Sequence, residues 1–341
     1  PEGKEMAEQG LMARCDRGVQ ATLNFTDTYV SSTLPVGYYD AFNPKARAYV
    51  WSKIKRNYID RGVRVLWLDA CEPEYQHKDH SNIRYHTGSS LAVGNAYPFM
   101  HQRMAWEGMR TAEVKDGLLH CRSAWAGSQR LGAAVWSGDI QSTWAQLRTQ
   151  VVVGLNMAMS GIPWWNSDIG GFWGATIEDE SFHELLIRWM QFATFTPIMR
   201  LHGVRSSREQ AGELKSGAPN EPWSFGASVY EKLKSAILLR ERLRSYIAMH
   251  MREAARSGLP PMRPCFVDYP EDAACWDLAD QYLFGSDLLI APVLHPGEKS
   301  RPVYLPAGQN WTRAESGEGF KGGERVDAEV GPDSIPVFIR Q

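Results

Sequence analysis

Short apolar runs alternate with amphipathic stretches along most of the chain. Asn43-Pro44 reads as a helix start, with Asn as the N-cap and Pro in the first turn. Ala46, Tyr49, Val50 and Ile54 then fall on one face, which predicts a helix to about Asp60, ended by Gly62. Val63 to Leu68 is uninterrupted apolar apart from Arg64 and predicts a buried parallel strand. Residues 73–98 are polar and predict a long loop. Tyr97 to Met109 predicts a helix, Leu118 to Ala124 a second strand and Ala133 to Trp136 a third.

The alternation continues. Trp144, Leu147, Val151, Leu155 and Ala158 mark the inner face of a helix that Gly161 stops. Ile162 to Trp165 predicts a fourth strand, with Asp168-Ile-Gly-Gly as its exit turn. Phe182 to Phe195 predicts a helix and Pro197 to Leu201 a fifth strand. Residues 206–222 predict a loop. Val229 to Arg256 predicts one long helix, with Leu233, Ile237, Leu238, Leu243 and Ile247 on its apolar stripe. After Gly258 the pattern becomes short β-rich runs between Gly and Pro turns. The fold class expected is therefore α/β: strand–helix units over 1–258 and an all-β module over 259–341.

Composition narrows the function without choosing it. Across 341 residues, 37 Lys and Arg nearly balance 39 Asp and Glu, and no long run of like charge occurs. A nucleic-acid track or a membrane-surface patch therefore finds no support, and no stretch reaches membrane-spanning length. Five cysteines without a CxxC argue against a disulfide framework or a zinc site and favour a reducing, cytoplasmic compartment. Thirteen tryptophans mostly serve packing, but aromatic faces also stack on sugar rings.

Polar residues at strand exits carry the candidate chemistry. Asp69 stands at the end of the apolar run in Val-Leu-Trp67-Leu-Asp69-Ala-Cys-Glu72, and Asp139 follows Trp136-Ser-Gly. Each alone has a bland reading: Asp69 as a turn residue, Asp139 as the N-cap of the next helix. Together they match what glycoside cleavage needs, a nucleophile or base and a proton donor. Arg122 lies at another strand exit, where its fork could pair with an acid or bind a hydroxyl. Asp168 could organise its turn or accept from two hydroxyls. His202 could be a core histidine or a hydroxyl ligand, and Glu72 reads as a supporting carboxylate.

These motifs, in this order, resemble the family 31 glycoside hydrolases. The carrying stretches are Trp67-Leu-Asp69-Ala-Cys-Glu72-Pro, Arg122-Ser-Ala-Trp, Trp136-Ser-Gly-Asp139, Trp165-Asn-Ser-Asp168-Ile-Gly-Gly and Arg200-Leu-His202-Gly, followed by Asp280-Gln-Tyr-Leu-Phe-Gly. The resemblance implies a (β/α)8 TIM barrel followed by a β-sandwich module. It implies a retaining, exo-acting α-glycosidase of the α-xylosidase or α-glucosidase kind, with Asp69 as nucleophile at the end of the fourth barrel strand and Asp139 as acid/base after the sixth. Trp67, Arg122, Trp136, Asp168 and His202 match positions lining the pocket of the terminal, non-reducing sugar. An oligosaccharide substrate is implied, with no metal or organic cofactor; a homo-oligomer stays open. Some α-xylosidases carry Lys where Trp67 stands, so the sugar stays open too. Because the family's first three barrel strands have no counterpart after Pro1, the chain is expected to be a piece, truncated before the fourth strand and inactive alone. Lyase, transglycosylase and non-catalytic sugar-binding relatives share the scaffold; the last predicts loss of one carboxylate, and both are present.

Overall fold

The computed structural model describes residues 2–27, 32–73, 79–208 and 217–341, with the side chains of 23–34 left aside. The chain divides into two compact units, Pro1–Trp136 and Ser137–Gln341.

The first unit opens with α1 (Glu2–Glu8) and a short strand β1 (Arg14–Cys15). The antiparallel hairpin of β2 (Thr22–Asp27) and β3 (Ser32–Gly37) follows. None of these strands was legible in the hydrophobic pattern. In α2 (Pro44–Asn57) the Asn43 side chain accepts from the Lys45 N–H at 2.9 Å, as the helix-start signal requires. Next comes β4 (Val65–Leu68). The stretch read as one long polar loop contains β5 (Ile83–Tyr85), β6 (Gly88–Ser89) and the short α3 (Ser90–Val93); its residues 74–78 lie outside the described residues. Then come α4 (Tyr97–Thr111), β7 (Leu118–Cys121) and β8 (Ala133–Trp136).

Strands β4, β7 and β8 lie side by side and parallel, with Leu66 opposite Leu119 and Cys121 opposite Val135. Leu66 and Leu68 pack with Met104, Ala105, Met109 and Cys121 in one core. β4 is not buried on both faces as the apolar run predicts. Its side chains alternate: Leu66 and Leu68 pack on the helix side, whereas Val65 and Trp67, on the opposite face of this edge strand, are 55% and 51% exposed. Helix α4 lies close on α2 because Gly108 leaves room for the Trp51 ring, and a Cβ there would come within 2.1 Å of it.

The second unit starts with α5 (Trp144–Met159), whose Leu147, Val151, Leu155 and Ala158 are buried as the periodicity predicts. It continues through β9 (Trp165–Asn166), β10 (Ala175–Thr176), α6 (Glu180–Thr194) and β11 (Arg205–Ser206). Residues 197–201 do not form the expected strand; Leu201 makes a single parallel bridge to Ile169. Two causes act together. Pro197 has no N–H for a ladder, and the Arg240 guanidinium donates to the carbonyls of Thr194, Thr196 and Pro197. Residues 209–216 of the loop at 206–222 lie outside the described residues.

The single long helix resolves into α7 (Ala227–Arg242) and α8 (Arg244–Ser257), broken at Leu243 with φ −82° and ψ 0°. The break re-aims the apolar stripe. Val229, Leu233 and Ala236 are buried on α7, and Ile247, His250 and Ala254 on α8. Ile237 and Leu238, expected on the stripe, are 40% and 49% exposed.

The β-rich remainder holds β12 (Met262–Arg263), β13 (Tyr282–Phe284), β14 (Leu288–Ile290), β15 (Ser300–Tyr304), β16 (Asn310–Arg313), β17 (Gly319–Lys321), β18 (Arg325–Glu329) and β19 (Val337–Arg340). One antiparallel sheet runs in the order β12-β13-β14-β19-β16-β17, and β15 pairs with β18. Leu289, Trp311 and Phe338 of the first share a core with Val303 and Ala328 of the second.

Candidate active site

In the first unit, Asp69 stands directly after β4 and Arg122 directly after β7, so parallel pairing brings both to one end of the sheet. Arg122 Nη1 lies 3.2 Å from Asp69 Oδ1. The same guanidinium donates from Nε to Glu72 Oε1 at 2.8 Å and from Nη2 to Glu72 Oε2 at 2.9 Å. This is a two-bond fork on Glu72, which holds the third nitrogen against Asp69. The Arg122 side chain is 14% exposed, whereas the two carboxylates reach solvent more. Glu72, read from sequence only as supporting, is thus the partner that orients Arg122.

The backbone helps to aim Asp69. Ala70 has φ 51°, a left-handed conformation that costs roughly 1–3 kcal/mol outside glycine. Its N–H donates to Asp69 Oδ1 at 2.8 Å. Cys71 anchors the turn, its buried Sγ 3.4 Å from the Leu68 carbonyl and 3.3 Å from Ser123 Oγ, and burial raises its thiol pKa. Trp67 packs on Trp136 with ring centroids 5.8 Å apart, and Trp136 packs on His120 at 4.8 Å. Trp136 is buried, whereas Trp67 presents half its surface.

In the second unit, Asp139 is exposed in the segment between Gly138 and α5. It does not cap α5. Thr143 does, its Oγ1 accepting from the Gln146 N–H at 3.2 Å. Backbone bonds fasten the segment: Phe172 N–H to Ile140 O at 2.7 Å and Ser142 N–H to Trp173 O at 2.7 Å. Gly171 makes that approach possible, because at φ 75° a Cβ would meet Ser142 Cα at 2.7 Å.

Asp168 follows β9 and is fully buried. Its side chain does not bond the exit turn; Oδ1 accepts from Arg200 Nη1 at 2.6 Å and Oδ2 has no hydrogen-bond partner. Burial pushes its pKa up to about 7, against the pull of Arg200 and with the nearby charge of Asp139 adding to the rise. His202 packs against Phe172, centroids 5.3 Å apart. Arg205, which no sequence signal marked, is the buried strut of this region: it donates to Asn220 Oδ1 at 2.8 Å and to Gly171 O at 2.9 Å, with its guanidinium over Phe182. Arg200 was legible in principle, since it stands in the same Arg200-Leu-His202-Gly stretch as His202.

The raised Asp168 pKa has a stability consequence. The folded chain keeps this proton about three pH units longer than an unfolded chain, worth about 4 kcal/mol. That stabilisation is complete below about pH 4 and is lost as pH rises through about 7. Asp168→Asn cannot ionise, so its melting temperature relative to the unaltered protein rises between pH 5 and pH 8. A difference independent of pH would show that Arg200 keeps Asp168 ionised throughout.

Comparison with known proteins decides the family. The profile of the glycosyl hydrolase family 31 TIM-barrel domain matches residues 2–249, and that of the family's C-terminal domain matches 258–341. The chain belongs to glycosyl hydrolase family 31. Its architecture is accordingly the family 31 TIM-barrel domain followed by a C-terminal β domain. An α-xylosidase of Saccharolobus solfataricus is 37% identical over 309 residues, covering 88% of this chain and 40% of the relative. Alpha-glucosidase 2 of Bacillus thermoamyloliquefaciens is 33% identical over 310 residues, covering 89% and 37%. The crystal structure of a family 31 α-xylosidase from a soil metagenome, complexed with xylose, superposes with a TM-score of 0.92 at 46% identity, covering 99% of this chain and 50% of that one. The family 31 chain described here thus spans about half the length of such relatives or less. Among its described residues, no helix is long and apolar enough to cross a membrane.

Proposed function

We propose that this chain carries the catalytic residues of a retaining, exo-acting α-glycoside hydrolase that releases a terminal α-xylosyl unit, or an α-glucosyl unit, from an oligosaccharide. The observation that carries the reading is the Glu72–Arg122–Asp69 array. A carboxylate aimed by a strained turn, and held beside a guanidinium locked by a second carboxylate, is placed to attack as a nucleophile. Asp69 forms a bond to the anomeric carbon while Asp139 protonates the leaving oxygen; Asp139 then takes a proton from the water that releases the glycosyl-enzyme. Trp67, Arg122, Trp136, Asp168 and His202 hold the sugar. The proposed division is a catalytic barrel part over 1–258, in which β4 is the fourth barrel strand, and a β module over 259–341.

The identity of the sugar rests on the relatives, several of which are named α-xylosidases. Release of p-nitrophenol from the α-xyloside and the α-glucoside, measured on protein made from the complete reading frame, tests it. The xyloside is the expected better substrate. Formation of anhydrofructose from an α-glucan would establish a lyase instead, and cleavage of neither aryl glycoside counts against the reading.

Glu72 is expected to act through Arg122. Glu72→Gln removes the charge that aims the fork, and kcat/KM falls about 10–100-fold. A pure folding role would lower melting temperature and leave the kinetics of the folded fraction unchanged. The positioning role predicts that kcat falls more than KM changes in fully folded protein, because a loosened Arg122 no longer holds its third nitrogen against Asp69.

A further inference from the structure

Apart from these strand exits, the first unit has a second concave site on the outer face of α4. Phe99, Arg103, Trp106 and Glu107 share one stripe of that helix, and the turn at Ser128–Leu131 adds Arg130 and Leu131. The six side chains enclose about 410 Å³, within the range of small-molecule pockets. Arg110 lies over the Trp106 ring at 4.6 Å and the Arg130 guanidinium over Phe99 at 5.4 Å, which fixes both rings. The charges do not balance. Arg103 takes Glu107 in a 2.6 Å pair, whereas Arg130 meets no carboxylate among the described residues. The pocket therefore offers one guanidinium with uncommitted donors beside an aromatic and aliphatic wall of Trp106 and Leu131.

We propose that this pocket binds a carboxylate carried on a six-membered ring, with the carboxylate on Arg130 and the ring's apolar face on the Trp106 wall. A uronic acid unit of a saccharide and an aryl carboxylate both present this chemistry. A neutral sugar lacks the anion that Arg130 calls for, and a bare inorganic anion would leave the apolar wall wet. The inference is independent of the hydrolase reading, since no step of catalysis enters it.

Calorimetric titration of the chain with sodium D-glucuronate, sodium benzoate and D-glucose tests it, with Arg130→Gln in parallel. Arg130 is exposed, so the variant keeps its fold, which circular dichroism verifies. Glucuronate is expected to bind one to one, glucose not at the same concentrations, and Arg130→Gln to weaken glucuronate about 10–100-fold. Benzoate binding with the same Arg130 dependence, in place of glucuronate, upholds the pocket and identifies the aryl source. Binding of neither acid, or binding unchanged by Arg130→Gln, overturns the proposal. So does glucuronate binding that Asp69→Asn abolishes, which would place the acid at the strand exits.

Discussion

Asp69→Ala, made in the complete reading frame, is expected to lower turnover by about 10⁴-fold or more while leaving the fold intact. The size follows from the role. Without the carboxylate no glycosyl-enzyme forms, and neither Arg122 nor Glu72 can replace a nucleophile. The intact fold follows from exposure: the Asp69 side chain is 43% exposed, and Arg122 keeps its two bonds to Glu72 when Asp69 is removed. Added azide fits the space left by the carboxylate and attacks the anomeric carbon directly. It should restore part of the activity and yield a glycosyl azide of inverted configuration. A loss below about tenfold, or rescue without a glycosyl azide, would mean that another group attacks.

Asp139→Ala is expected to separate substrates by leaving group. A poor leaving group needs its oxygen protonated in the transition state, and losing that acid costs about 10²–10⁴-fold. An activated leaving group such as dinitrophenolate departs without a proton, so its first step changes little. Its turnover then becomes limited by release of the glycosyl-enzyme, where the variant lacks a base, and azide should accelerate that step. Bronsted plots of kcat/KM against leaving-group pKa check this directly: a steep slope in the variant and a shallow one in the unaltered protein. Equal loss on all leaving groups would remove Asp139 from the acid role.

Much of what positions these residues was legible before the structure. Asn43-Pro44, the face of α5 and the strand at Ala133–Trp136 follow from capping and periodicity, which are local. What failed was set by groups far apart in the chain. The strand expected at 197–201 has the carbonyl of Pro197, and those of Thr194 and Thr196 before it, bound by Arg240, more than forty residues on. The long helix broke at Leu243, where the apolar stripe changes direction between α7 and α8. Strands β1 to β3 are short or pair only as a hairpin, and carry no apolar run.

At the candidate site the sequence placed residues at strand exits, but a strand-exit position does not by itself tell a helix cap from another role. Asp139 looked like a cap until Thr143 was seen filling that position. Asp168 looked like a turn residue until its side chain was seen on Arg200. The Glu72–Arg122 fork joins residues fifty positions apart, and spacing alone does not reveal a two-bond pair. Residue identity offers the groups that could do chemistry; pairing across the sheet brings Asp69, Arg122 and Glu72 together.

The proposed mechanism requires a covalent bond between Asp69 and the sugar. Incubation with a 5-fluoro-α-glycosyl fluoride slows release of the intermediate, and peptide mass spectrometry locates the label. One glycosyl unit on the peptide containing Asp69 is the expected result, with the α-anomer as the first product seen by NMR during ordinary turnover. A label on another residue, or the β-anomer as first product, would contradict it.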